Sequence, residues 1–155
     1  MNIFSTAFTD GGIIPSIYTC EGGRRLSPPL TFSHIPDGTQ SFVLFMDDPD
    51  VPKEVREDGH FTHWVLYNIP PTSTFLEEGT NVGVCGKNTR DESLYTGPCP
   101  PSEYEPSEHR YFFTLYALDT TLNLPEGVSK EEVQDAMQGH ILEEATLMGT
   151  YKKVK

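Results

Sequence analysis

Ser41-Phe42-Val43-Leu44-Phe45-Met46 carries no polar side chain after its first residue. Thr62-His63-Trp64-Val65-Leu66-Tyr67-Asn68-Ile69 is nearly as apolar, and so is Tyr111-Phe112-Phe113-Thr114-Leu115-Tyr116-Ala117-Leu118. Runs of this length are strand-sized, and near-continuous apolar character predicts central strands covered on both faces. They are far too short to span a bilayer as helices. Outward from these runs the chain is punctuated by turn signals: Asp10-Gly11-Gly12, Gly22-Gly23, Pro28-Pro29, Asp37-Gly38, Asp58-Gly59 and Pro70-Pro71. Shorter strands are expected over Asn2 to Phe8 and Leu30 to His34. One late segment is helical. Ser129-Lys130-Glu131-Glu132 fits a capping box, and Val133, Ala136 and Met137 then fall on one helix face. Gly139 weakens that pattern. Beyond Glu144 periodicity leaves both helix and strand open. Many strands and one late helix predict a mainly β protein, a β-sandwich with helical decoration. With no repeat and no linker, residues 1–155 form one domain.

The 155 residues hold 11 Lys and Arg against 23 Asp and Glu, a formal charge of −12. That balance argues against nucleic acid and against anionic membrane surfaces, which both need a basic face. The N-terminus lacks the basic start and apolar core of a signal peptide. Cys20, Cys85 and Cys99 are odd in number and include no C-x-x-C pair, which argues against a disulfide scaffold and a zinc knuckle. The expectation is a reduced, cytoplasmic protein with free thiols.

Four clusters could carry chemistry. Asp47-Asp48-Pro49-Asp50-Val51-Pro52 follows a strand; as a calcium loop it lacks the turn Gly and the later bidentate Glu, and an ordinary polar loop is the plain reading. His60 and His63 are three apart, so on a strand they face opposite ways and cannot share a metal. The stretch from Gly79 to Asn88 resembles a phosphate-binding P-loop, but Asn81 and Asn88 replace its first Gly and its closing Ser/Thr, and no helix follows. It is read as a flexible loop. Gly97-Pro98-Cys99-Pro100-Pro101 is a stiff loop in which only Gly97 and Cys99 keep a backbone N–H for an anion. His109-Arg110-Tyr111 then opens a strand.

Taken in order, Ser27-Pro28-Pro29-Leu30, Asp47 to Pro52, Thr62 to Ile69, Gly97 to Pro101, His109 to Phe113 and Gly139-His140-Ile141-Leu142 resemble the phosphatidylethanolamine-binding protein family, in its short bacterial and archaeal Raf-kinase-inhibitor-like branch. The resemblance implies an antiparallel two-sheet β-sandwich with a small anion pocket at one end, and it favours a final strand after Glu144. It places Asp48, Pro52, His63, Gly97, His109 and Tyr111 around a phosphate-like group; Cys99 joins the candidate ligand-binding residues through its loop N–H. The rim departs from the family pattern at Asn88 to Leu94, at Thr96, and in the acidic stretch from Ser102 to Glu108.

Physical chemistry gives those residues roles. Protonated His63, the N–H groups of Gly97 and Cys99, and the Tyr111 hydroxyl can donate to an anion. Asp48 then belongs behind His63, where it would favour imidazolium, and phosphate would bind more weakly as pH rises. A cis Val51–Pro52 bond is expected from the tight motif. The leading function is a non-enzymatic binding protein with no cofactor, no metal and no catalytic residue. Its ligand would be a small phosphorylated or carboxylate group such as a phospholipid headgroup. By resemblance its role would be regulatory, with a kinase or protease as protein partner. Stable membrane insertion is not expected, and exposed strand edges are compatible with a homodimer. Two other readings remain: a thiol hydrolase built on Cys99, His63 and Asp48, and a protein-interaction domain with a vestigial pocket.

Overall fold

The computed structural model describes residues 1–154. Among the described residues nine strands form in chain order: β1 (Asn2–Phe4), β2 (Gly12–Ile13), β3 (Leu30–Ser33), β4 (Ser41–Asp48), β5 (Phe61–Ile69), β6 (Phe75–Leu76), β7 (Val84–Cys85), β8 (Glu108–Leu118) and β9 (Ile141–Lys152). One α-helix, α1 (Lys130–Met137), lies between β8 and β9, and a 3-10 turn covers Ser16–Tyr18. The strands make a three-stranded sheet, β1-β3-β6, and a six-stranded sheet, β2-β9-β8-β4-β5-β7. All pairings are antiparallel except β2 with β9.

The apolar runs are explained by two cores. Alternate residues of β4 separate cleanly: Phe42, Leu44 and Met46 join the core between the sheets, while Val43 and Phe45 face the other way. On β5, Trp64 and Leu66 join the first core, and Val65 and Tyr67 the second. The second core is closed by Val133 and Met137 of α1. A central strand therefore needs apolar side chains at every position, not at every second one.

The predicted capping box is present: the Glu132 N–H donates to Ser129 Oγ at 3.1 Å, and the Ser129 N–H donates to Glu132 Oε1 at 3.1 Å. Gly139, at φ +82°, turns the chain out of the helix, and this left-handed conformation costs Gly little. The chain then continues as β9, so the strand favoured by the resemblance is the one that forms. The first strand is shorter than expected, ending at Phe4. The Gly79 to Asn88 stretch contains β7, paired to β5 through Leu66–Cys85 and Tyr67–Val84. The cis bond expected at Val51–Pro52 is not there; among the described residues the cis X-Pro bond is Glu105–Pro106. No described helix is long and apolar enough to cross a membrane.

The free-thiol expectation is corrected. Cys20 and Cys99 form a disulfide with Cα atoms 5.4 Å apart, and Cys85 alone is free. The Cys20 N–H donates to the Pro98 carbonyl at 3.0 Å, which lays the two loops side by side. Cysteine spacing could not show this, because 79 residues separate the partners. Disulfides persist in oxidising surroundings, so the thiol argument no longer supports a cytoplasmic location.

Candidate functional site: a pocket at the end of the sandwich

A cavity of about 300 Å³ opens where β4, β5 and β8 meet the proline loop. Six of the seven predicted site residues line it: Asp48, His63, Gly97, Cys99, His109 and Tyr111. Pro52 does not. It is buried, and its carbonyl accepts from the N–H groups of Val55 and Arg56, so it shapes the loop that supplies those two lining residues.

Local β-geometry aims His63. Met46 pairs with Trp64 and Asp47 with Thr62, so His63 has no partner on β4 and sits in a bulge. Bulges re-aim a side chain and are common beside functional sites. Its ring lies 4.6 Å from Phe61 and 5.3 Å from Tyr111, centroid to centroid.

The predicted Asp48–His63 pair is corrected. The Asp48 carboxylate lies 2.7 Å from His109 Nδ1 instead. His109 Nε2 lies 2.9 Å from the Pro106 carbonyl oxygen. Both partners are pure acceptors, so both ring nitrogens must carry hydrogen and His109 is imidazolium. Burial opposes that charge, but the Asp48 hydrogen bond and charge outweigh it, and the His109 pKa is raised. The other Asp48 oxygen accepts from the Asp50 N–H at 2.8 Å.

His63 is the neutral histidine. Its Nδ1 lies 2.8 Å from the Thr96 carbonyl, so Nδ1–H donates. Burial pushes its pKa down to about 4, against the opposing pull of the Thr96 carbonyl and Asp48. Nε2 is then an unprotonated acceptor with no protein partner among the described residues. The neighbouring acids serve other ends. Asp47 holds Lys130 at 3.0 Å, His60 at 3.3 Å and Thr62 at 2.8 Å. Asp50 accepts from both Nε and Nη2 of Arg110, at 2.9 and 2.8 Å. His60 thus points to Asp47 while His63 lines the cavity, and no described group of His, Cys, Asp or Glu could hold a metal ion.

The donor set also differs from expectation. The Gly97 N–H is occupied, donating to the Arg24 carbonyl at 2.8 Å. Gly97 is needed for space: an added Cβ would lie 2.4 Å from the Tyr18 carbonyl oxygen and 2.9 Å from Thr19 Cα. These are backbone atoms, so Gly97→Ala is expected to cost about 1–3 kcal/mol. An unchanged denaturant midpoint would contradict this account of the loop. The Cys99 sulfur is in the disulfide, which removes the nucleophile of the thiol-hydrolase reading. The Tyr111 hydroxyl is fully buried and makes no well-formed hydrogen bond among the described residues, with the Asp48 carboxylate close enough to act on it. Burial raises its pKa and the nearby Asp48 charge adds to the rise, so it remains a hydroxyl donor.

The lining residues Arg24, Val55, Arg56 and Phe61 were not anticipated from the sequence, and Arg90 was met only as part of the rim stretch Asn88 to Leu94. The arginines come from three separate loops, and nothing in local spacing links them.

A family model for phosphatidylethanolamine-binding protein matches residues 4–152. The chain belongs to the phosphatidylethanolamine-binding protein family. Within the family it is 49% identical to a UPF0098 protein of Chlamydia pneumoniae over 154 residues, covering 99% of both chains. It is 48% identical to a UPF0098 protein of Methanothermobacter thermautotrophicus over 160 residues, again covering 99% of both. The crystal structure of a family homolog from Chlamydia trachomatis superposes with a TM-score of 0.92 at 48% identity, covering 98% of this chain and 97% of that one. Escherichia coli YbcL, described as a member of the mammalian family, gives 0.84 at 28% identity over 98% of each chain. The two-sheet sandwich with one helix is thus the family fold.

Proposed function

We propose that the chain is a non-enzymatic binding protein whose pocket takes a small phosphate-type anion. The observation that carries this reading is the Tyr111 hydroxyl, a buried donor that makes no well-formed hydrogen bond within the protein, in a cavity of ligand size. Leaving such a group unsatisfied costs about 1–3 kcal/mol, and a ligand oxygen would recover it. His63 Nε2 is the second polar contact. An anionic oxygen there needs a hydrogen between the two atoms, brought by a monoprotonated ligand or taken from solvent. Where the free ligand is fully deprotonated the complex takes up one proton on forming, so binding weakens as pH rises through the ligand's last ionisation. The imidazolium of His109 supplies fixed positive charge, balanced by Asp48. A kinase or protease bearing a phosphorylated segment is the partner class such a regulatory pocket would serve. A surface of charge −12 disfavours docking on anionic bilayers.

The test is a two-dimensional ¹H–¹⁵N NMR titration with inorganic phosphate and phosphoethanolamine. Saturable shifts are expected at Cys99, His63 and Tyr111. Tyr111→Phe is expected to weaken phosphate by about tenfold or more, the worth of one hydrogen bond to a charged group. Phosphate affinity is expected to fall at least tenfold between pH 6 and pH 8.5. No shifts at millimolar ligand, or affinity that does not change with pH, would overturn the reading.

A further inference from the structure

Three of the five arginines in this acidic chain, Arg24, Arg56 and Arg90, line one cavity. The histidine and tyrosine side chains of the cavity are buried, whereas Arg24 and Arg56 are partly exposed and Arg90 is exposed, so the arginines form its outer collar. Asp48 is the one carboxylate in the lining, and it is committed to His109. Arg56 is paired with exposed Asp58 at 3.4 Å, and Arg90 with Glu92 at 3.1 Å. Arg24 differs. Its guanidinium has no carboxylate partner among the described residues, and its polar contact is Nη2 to Cys99 Sγ at 3.8 Å. In a chain with 23 acidic residues, a half-buried guanidinium without an acid beside a pocket is conspicuous. Its position is also built. The Arg24 carbonyl accepts the Gly97 N–H at 2.8 Å, and the Cys20–Cys99 disulfide ties the same loop to the pocket wall.

We infer that Arg24 recognises a second negative charge on the ligand, so the pocket selects a phosphomonoester that carries a nearby carboxylate. This rests on the anion-pocket reading above and narrows it. The phosphate would sit against Tyr111 and His63. The carboxylate would meet the planar guanidinium at the collar, where a two-pronged hydrogen bond fits its shape. Two sources share this chemistry: a free phosphorylated amino or hydroxy acid, and a phosphorylated residue beside an acidic one in a peptide.

O-phosphoserine and phosphoethanolamine make the test, because both carry a phosphate and an ammonium and differ by one carboxylate. Calorimetric titration of the native protein is expected to show O-phosphoserine bound about tenfold tighter. Arg24→Gln is expected to bring the two ligands within twofold, with O-phosphoserine losing more affinity than phosphoethanolamine. Arg25→Gln, which removes a guanidinium paired to Glu92 and outside the cavity, should leave the preference intact. A capped phosphoserine-aspartate dipeptide distinguishes the sources: tighter binding than O-phosphoserine assigns an acidic phosphopeptide, and weaker binding assigns the free acid. Equal affinity of the native protein for both small ligands overturns the inference and leaves the anion pocket standing. A preference that survives in Arg24→Gln overturns the role of Arg24. No binding of either ligand at ten millimolar or so overturns the pocket and the inference together.

Discussion

Asp48→Ala is expected to destabilise the protein by about 3–5 kcal/mol, the usual effect of stripping one partner from a buried ion pair. His109 is 1% exposed and Asp48 3%, so water cannot replace the lost carboxylate. The N–H of Asp50 loses its acceptor as well. For a domain of this size the melting temperature should fall by about 10 °C. Asp48→Asn is expected to cost far less, about 1 kcal/mol. An amide can accept from the Asp50 N–H and donate to Nδ1 of a neutral His109, whose Nε2–H still reaches the Pro106 carbonyl. The sign of the pH dependence follows from His109. Its folded pKa is raised, so its contribution is fully present below the unfolded value of about 6.5 and is lost as pH rises through the folded pKa. The stability gap between native and Asp48→Ala should therefore be wider at pH 6 than at pH 9. Urea denaturation at both values measures it. Equal costs for Ala and Asn, or a gap that widens at high pH, would mean that Asp48 and His109 are not an ion pair.

Removing the Cys20–Cys99 disulfide by the double change to Ser is expected to cost roughly 2–5 kcal/mol, because the bond closes a long loop in the unfolded chain. The partners are 79 residues apart, which places the effect at the upper end of that range. The consequence reaches the pocket. The bond joins the Arg24 loop to the proline loop, so its loss should lower anion affinity as well as the melting temperature. Alkylation in denaturant before and after reduction checks the premise. One thiol, Cys85, should react before reduction and three afterwards. In the folded protein Cys85 should react slowly, since burial pushes its thiol pKa up to about 11. Three reactive thiols without reductant would refute the bond. A melting temperature unmoved by reduction would refute its contribution to stability.

Much of the site was legible as a set of residues. Asp48 lies at the end of β4, His63 near the start of β5, and His109 and Tyr111 near the start of β8. Adjacent antiparallel strands bring such ends together. The partnerships were not legible. The Asp48–His63 pairing followed from the charge an anion pocket needs, and that chemistry does not decide between two histidines; the bulge at His63 takes it out of step with β4. A slip of one residue sends a side chain to the other face. The role of Gly97 was misread for a related reason. Its N–H is taken by Arg24, a residue brought in by a distant loop.

What the sequence determined by itself is everything carried by near neighbours along the chain. Apolar residues at every position of β4 and β5 demanded cover on both faces. The Ser129 and Glu132 spacing started a helix. The tertiary structure decided which acid charges which histidine, which cysteines join, and that three arginines ring one cavity. Those outcomes depend on bulges and loop closures between residues as far as 61 and 79 positions apart, where the energy of a contact is set by strand register and not by the identity of the residues beside it.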